Sequence, residues 1–219
     1  MNKFEAIHFD MDGVIADTEP LHVMAEKQTC IDYGFDINPD DWTGFKGRTA
    51  QDIFSYLIST YGDPAKYTPE ELINHKTTLF LDMAKTRLEP IEGVVEFLNW
   101  ARKAYTKMSL VTSSNKRVQS FIVDALGIGS LFDAVITGDD ITEGKPSPQP
   151  YLKASKQLNI TPNSSLVIED SASGIQSGLT AGCAVLAVAT SHTVEELLVE
   201  APDYVAADYL DARRQLIAV

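Results

Sequence analysis

Cysteine is scarce. Cys30 and Cys183 are the only two, far apart and in no Cys-x-x-Cys pair, which argues against a disulfide framework and a zinc site. Both read as reduced, buried thiols. Long apolar runs are missing as well, and nothing reaches membrane-spanning length. Met1-Asn2-Lys3-Phe4 leads straight into a short apolar segment without a signal-type stretch, so the expected location is cytoplasmic. Basic residues are outnumbered, 18 Lys and Arg against 31 Asp and Glu, for a formal net charge of −13. Such a chain repels nucleic acid phosphates and anionic membranes, and no local basic patch offsets the repulsion. The expected partner is therefore a small molecule, with no nucleic acid and no membrane. Monomer and weak homodimer are both compatible with the sequence.

What is present is ordinary globular composition, 44% hydrophobic and 22% charged over 219 residues, enough for one domain carrying a sizeable insertion. Short β-rich runs alternate with helical stretches, the pattern of an α/β parallel sheet with helices on both faces. Strands are expected at Ala6–Phe9, Met108–Val111, Ala134–Thr137, Leu166–Ile168 and Val185–Val188, with helices near 116–126, 149–158 and 172–181. Ser147-Pro148 reads as an N-cap followed by proline in the first turn. From about Thr18 to Leu88 only helical patterns occur, near 20–33, 49–61 and from the Thr68-Pro69-Glu70-Glu71 capping box through Met83. The expected division is a core of 1–17 and 88–219, with a helical insertion of 18–87.

The first strand runs into His8-Phe9-Asp10-Met11-Asp12-Gly13. Asp10 and Asp12 stand at i and i+2, on one face if the backbone stays extended, and Gly13 permits a sharp turn beside them. Two such acids repel unless a cation lies between them. A lone Asp-x-Asp is more often an acidic solvated turn, and an EF-hand loop is disfavoured because Gly13 comes too early. Three further signals fall near the ends of later strands. Thr112-Ser113-Ser114 offers hydroxyls and N–H groups at a helix start, an anion site. Lys145 lies in Glu143-Gly144-Lys145-Pro146, and Glu169-Asp170 is followed by small residues, with Gly178 and Ala181 further on. Ligands bind outside the carboxyl ends of parallel strands, so all four groups can converge.

Asp10-Met11-Asp12-Gly13-Val14, Thr112, Lys145 and Glu169-Asp170 match in order the four motifs of the haloacid dehalogenase-like hydrolases. The chain resembles that superfamily over essentially its whole length, especially its sugar-phosphate phosphatases and β-phosphoglucomutases. The resemblance implies a Rossmann-like core with an inserted helical cap domain. It also implies phosphoryl transfer, with Asp10 as nucleophile, Asp12 as general acid and base, Thr112 and Lys145 completing the catalytic set, and Ser113 and Ser114 at the phosphate. Mg²⁺ suits this all-oxygen set of Asp10, Asp170 and Asp12, the last through its backbone carbonyl, with Glu169 acting through water. His22, Lys46, Gly47 and Lys76 fall where the mutases carry a hinge histidine and cap basic residues, and Arg48 follows Gly47 directly. Those mutases place an arginine three residues after the glycine, where this chain has Ala50. The expected function is Mg²⁺-dependent hydrolysis of a small phosphorylated metabolite, a sugar phosphate, through an aspartyl-phosphate, with a β-phosphoglucomutase-like isomerase as the alternative.

Overall fold

The structure, a computed structural model, describes residues 3–45 and 49–218. In chain order the elements are β1 (Ala6–Phe9), α1 (Glu19–Asp32), α2 (Ala50–Tyr61), α3 (Pro69–Arg87), α4 (Val94–Ala104), β2 (Lys107–Val111), α5 (Lys116–Leu126), β3 (Ala134–Ile136), α6 (Gln149–Leu158), β4 (Ser165–Glu169), α7 (Ala172–Thr180), β5 (Ala184–Val188), α8 (Val194–Leu198), β6 (Tyr204–Ala206) and α9 (Tyr209–Ile217), with short 3₁₀ turns between some of them. The chain separates into two compact units, Met1–Asp17 with Glu89–Val219, and Thr18–Leu88.

In the first unit six parallel strands lie in the order β3-β2-β1-β4-β5-β6. This is the doubly wound order, in which the chain changes direction across the sheet at β1 and a crevice opens at the strand ends. β1 is buried on both faces throughout, as a central parallel strand must be. Its side chains alternate accordingly. His8 meets Ser155 of α6, while Phe9 packs edge-on against Phe97 of α4, which also packs on Tyr209 of α9. Val167, Val185 and Ala187 share a buried cluster with Tyr151 and Ala154 of α6 and Ile175 of α7. Helices thus cover both faces.

Two details depart from the sequence expectation. β6 is an additional strand, only three residues long at the sheet edge and half-buried at Tyr204 and Val205, too short to show a period. Helix α6 spans the expected 149–158, but Pro148 and not Ser147 holds its N-cap position. Ser147 still serves the helix end, its hydroxyl accepting from the Gln149 N–H at 3.3 Å.

The second unit is helical, and its described residues contain no strand. Thr68 caps α3 by accepting from the Glu71 N–H, while Glu71 accepts from the Tyr33 hydroxyl. The helix continues to Arg87, a turn beyond Met83. Cys30, Phe35, Phe45, Phe54, Leu57 and Leu72 form its core. Burying a side chain such as Phe54 or Leu57 completely contributes about 1.5–3 kcal/mol each.

Candidate active site

Asp10 follows the last residue of β1, and its N–H donates to the Ile168 carbonyl at 3.1 Å. Thr112 follows β2 and donates to the Ile136 carbonyl at 2.9 Å. Glu169 ends β4, with Asp170 next. The parallel ladder therefore brings these three strand ends side by side, Phe9 lying level with Leu110 and Ile168. Gly13 turns the chain after Asp12 at φ +80°, and a Cβ there would stand 2.1 Å from Asp170 Oδ2. Backbone conformation and space both demand glycine at this point.

Lys145 reaches into this group from the loop before α6. Its ammonium binds Asp10 Oδ1, Glu169 Oε1 at 2.6 Å and the Val111 carbonyl at 3.4 Å. Burial pulls the lysine pKa down, but Asp10 and Glu169 more than reverse this and raise it. Glu169 is fully buried and tied at both oxygens. Besides Lys145, Oε1 accepts from the Tyr151 hydroxyl at 2.8 Å, while Oε2 accepts from the Asp170 N–H at 3.1 Å, the Ser171 N–H at 3.4 Å and the Ser171 hydroxyl at 3.1 Å. A Cβ at Gly174 would fall 1.9 Å from this carboxylate, and one at Gly178 would press on Val185 at 2.8 Å. Helix α7 approaches the sheet closely because both positions are glycine.

Asp10, Glu169 and Asp170 each present a carboxylate oxygen within 4.8 Å of the others, all three residues buried. Burial raises the Asp10 pKa well above the carboxylate range, Lys145 works against this, and Glu169, Asp170 and Asp12 add to it. Asp170 is pushed up to about 7, first by burial and then by Glu169, against a hydrogen bond from Ser191. Three acids facing one ammonium leave excess negative charge, and hard oxygen donors free of His or Cys suit Mg²⁺. The residues present fit that ion.

Asp12 is placed differently. Its Oδ2 accepts from the Thr112 hydroxyl at 2.9 Å and the Ser114 hydroxyl at 3.0 Å, and Thr112 Oγ1 accepts from the Ser114 N–H at 2.9 Å. The carboxylates gathered above do not include Asp12. Ser113 lies in the same turn, where Gly138 leaves no room for a Cβ, 2.4 Å from the Ser113 carbonyl oxygen.

In the helical unit, Lys76 Nζ meets His22 Nδ1 at 2.9 Å and Glu26 at 3.4 Å, and the His22 ring stacks on Phe80 at 4.3 Å. The sequence singled out His22 and Lys76 but not Glu26, which looks like one of many acids on α1. Lys46, Gly47 and Arg48 lie outside the described residues. Sequence reasoning assigned no role to Tyr151, Ser171, Ser191 or His192, whose Nδ1 lies 2.9 Å from the Asp170 carbonyl. For Ser171 a signal existed, namely its position just past β4, which carries Glu169.

Residues 7–188 match the haloacid dehalogenase-like hydrolases. The chain belongs to that family. It is an enzyme of the haloacid dehalogenase-like type, and its relatives narrow the branch. It is 30% identical over 180 residues to the phosphorylated carbohydrates phosphatase of Thermotoga maritima, covering 81% of this chain and 82% of that one. Identity to the fructose-1-phosphate phosphatase YqaB of Escherichia coli is 28% over 180 residues, covering 82% and 94%. Among solved structures of haloacid dehalogenase-like fold, Rhodobacter sphaeroides CbbY in complex with xylulose 1,5-bisphosphate superposes with a TM-score of 0.84 at 26% identity, covering 94% of this chain and 95% of that one.

Proposed function

We propose that this chain is a Mg²⁺-dependent phosphatase of a small phosphorylated metabolite, a sugar phosphate, working through an aspartyl-phosphate on Asp10. The observation that carries the reading is Asp10 itself, a buried carboxylate at a strand end, gripped by Lys145 and faced by Glu169 and Asp170. Mg²⁺, held by Asp10 and Asp170 with the Asp12 carbonyl and Glu169 completing the set, would supply neutralisation of phosphate charge. Lys145 supplies further positive charge, and Thr112, Ser113 and Ser114 orient the phosphoryl oxygens. An Asp10 oxygen forms the new bond to phosphorus as the bond to the sugar oxygen breaks, and Asp12 delivers a proton to that leaving oxygen. Asp12 then takes a proton from a water, whose oxygen bonds to phosphorus as the Asp10–phosphorus bond breaks.

In this reading Thr18–Leu88 is the cap domain, and His22, Lys46, Gly47, Arg48 and Lys76 are its substrate-binding candidates. The excess of 31 acids over 18 bases favours a small substrate over nucleic acid or membrane, and among the described residues no helix is long and apolar enough to cross a membrane. A cytoplasmic place of action belongs to the same proposal. The mutase alternative shares every core residue and adds a need for a firm second phosphate site. Where its arginine would stand, Ala50 opens α2, which leaves Lys46, Arg48 and Lys76 as substitutes, and a lysine offers a point charge without a bidentate grip.

The test is incubation with β-glucose 1-phosphate or fructose 1-phosphate, Mg²⁺ and a trace of glucose 1,6-bisphosphate. Inorganic phosphate should appear from the sugar phosphates, chelator should stop it, and little glucose 6-phosphate should form. Rapid conversion to glucose 6-phosphate without comparable phosphate release would establish the mutase instead.

A further inference from the structure

We propose that Tyr151 is a positioning residue for the reaction, its hydroxyl and ring together fixing the Lys145 ammonium between Glu169 and Asp10. The inference rests on the phosphatase reading for what Lys145 does, but its geometry stands by itself. Tyr151 is wholly buried on α6, where a phenylalanine would fill almost the same volume. A buried phenol hydroxyl needs a partner, and its partner here is Glu169 Oε1 at 2.8 Å. The same oxygen accepts Lys145 Nζ at 2.6 Å. Meanwhile the ammonium stands 5.2 Å from the Tyr151 ring centroid, within cation–π range.

A lysine head is a point charge on a flexible four-carbon stem and has little directional preference of its own. Its place is set by its acceptors. Here two acids compete for it, Asp10 and Glu169. The phenol occupies one acceptor direction of Oε1 and takes up part of Glu169's charge without bringing in a second cation. That leaves Glu169 strong enough to hold Lys145 and too committed to draw it away from Asp10. One helical turn on, Ser155 of α6 meets His8 on β1 at 3.1 Å. Polar links at positions i and i+4 therefore pin one face of α6 to β4 and to β1.

The test compares the full-length wild type with Tyr151→Phe, which keeps the ring, and Tyr151→Leu, which removes it. Each is assayed for kcat and KM on the sugar phosphate the wild type hydrolyses fastest, and for Mg²⁺ binding by calorimetry without substrate. Tyr151→Phe should melt within a few degrees of wild type, lose about tenfold in kcat with KM changed less than twofold, and bind Mg²⁺ about threefold more tightly, since Oε1 gains an uncommitted acceptor direction. Tyr151→Leu should lose about a hundredfold in kcat. Wild-type kcat and Mg²⁺ affinity in Tyr151→Phe would overturn the inference, as would a parallel loss of kcat, Mg²⁺ affinity and melting temperature, the mark of a merely structural residue. A wild type that releases phosphate from no sugar phosphate would break the phosphatase reading instead. In that event calorimetry alone decides, and unchanged Mg²⁺ affinity in Tyr151→Phe overturns the inference.

Discussion

The charged groups of the core unit are held from several directions at once, whereas the buried charges of the helical unit hang on two helices. Glu169 takes five donors from four residues, and Lys145 has an acceptor for each of its three N–H bonds. In the helical unit, among the described residues, Lys76 of α3 bonds with side chains of α1, Glu26 and His22. The first arrangement is set by strand ends in register and leaves no slack, as chemistry on a phosphorus atom requires. The second depends on two helix faces staying opposed. Substitutions in the core should therefore act on turnover and those in the helical unit on binding and stability.

Asp10→Asn offers the largest effect. Turnover should vanish and no phosphoenzyme should be trapped on rapid quenching with labelled substrate, while the variant folds normally. A labelled phosphoenzyme in that variant would remove Asp10 from its role. Asp12→Asn should differ in kind, losing about 10²–10⁴-fold in kcat through absent proton transfer while Asp10 still accepts the phosphoryl group. Equal loss of phosphoenzyme in both variants would erase the distinction between nucleophile and acid.

Acidity separates the two sets of core groups by sign. Burial lowers the His8 pKa to about 4, so this histidine contributes stability that is full above the ordinary histidine value near 6.5 and fades as pH falls toward 4. Asp170, raised to about 7, does the opposite, its contribution being full near pH 4 and lost as pH rises to 7. With Mg²⁺ bound, the acids stay charged and His8 alone remains. Denaturant titration should then show stability rising by about 2 kcal/mol from pH 5 to 6.5 with Mg²⁺, and a cancelled or inverted trend in chelator. Identical slopes in both conditions would contradict the reading of Asp10 and Asp170 as cation-seeking. The smallest effect belongs to the helical unit. Lys76→Met leaves Glu26 without its cation and should cost about 2 kcal/mol in denaturant unfolding, raising KM severalfold while kcat stays close to wild type. A kcat loss matching that of Asp12→Asn would abolish the contrast between the units.

Much of the core site was legible because strand ends are. Asp10, Thr112, Glu169 and Asp170 each follow a short β-rich run, and a parallel sheet gathers such positions at one edge. Lys145 stood out as a cation just before a helix. Tyr151 did not, since an aromatic at helical spacing is read as core, and its hydroxyl acts on a residue 18 positions away. Ser191, which bonds Asp170, sits in a loop whose composition carries no chemical signature. β6 escaped because three residues, two of them half-buried, cannot display an alternation. In the helical unit the pairing of His22 with Lys76 spans 54 positions, a separation that depends on how two helices turn toward each other and that no local pattern encodes.

During synthesis β1 leaves the ribosome early and then waits. Its neighbours β2 and β4 begin only at Lys107 and Ser165, whereas Thr18–Leu88 is contiguous and can bury Phe54, Leu57 and Leu72 among its own helices before either strand exists. At roughly 5–20 residues per second, Ser165 follows Leu88 by about 4–15 s. Through that interval the inserted unit is free to fold while its host cannot close, and Asp10 has no Glu169 beside it. Loop closure over such separations is what slows parallel sheets. The nascent chain is therefore able to order its inserted unit before its core, and the catalytic acids meet only when the fourth strand arrives.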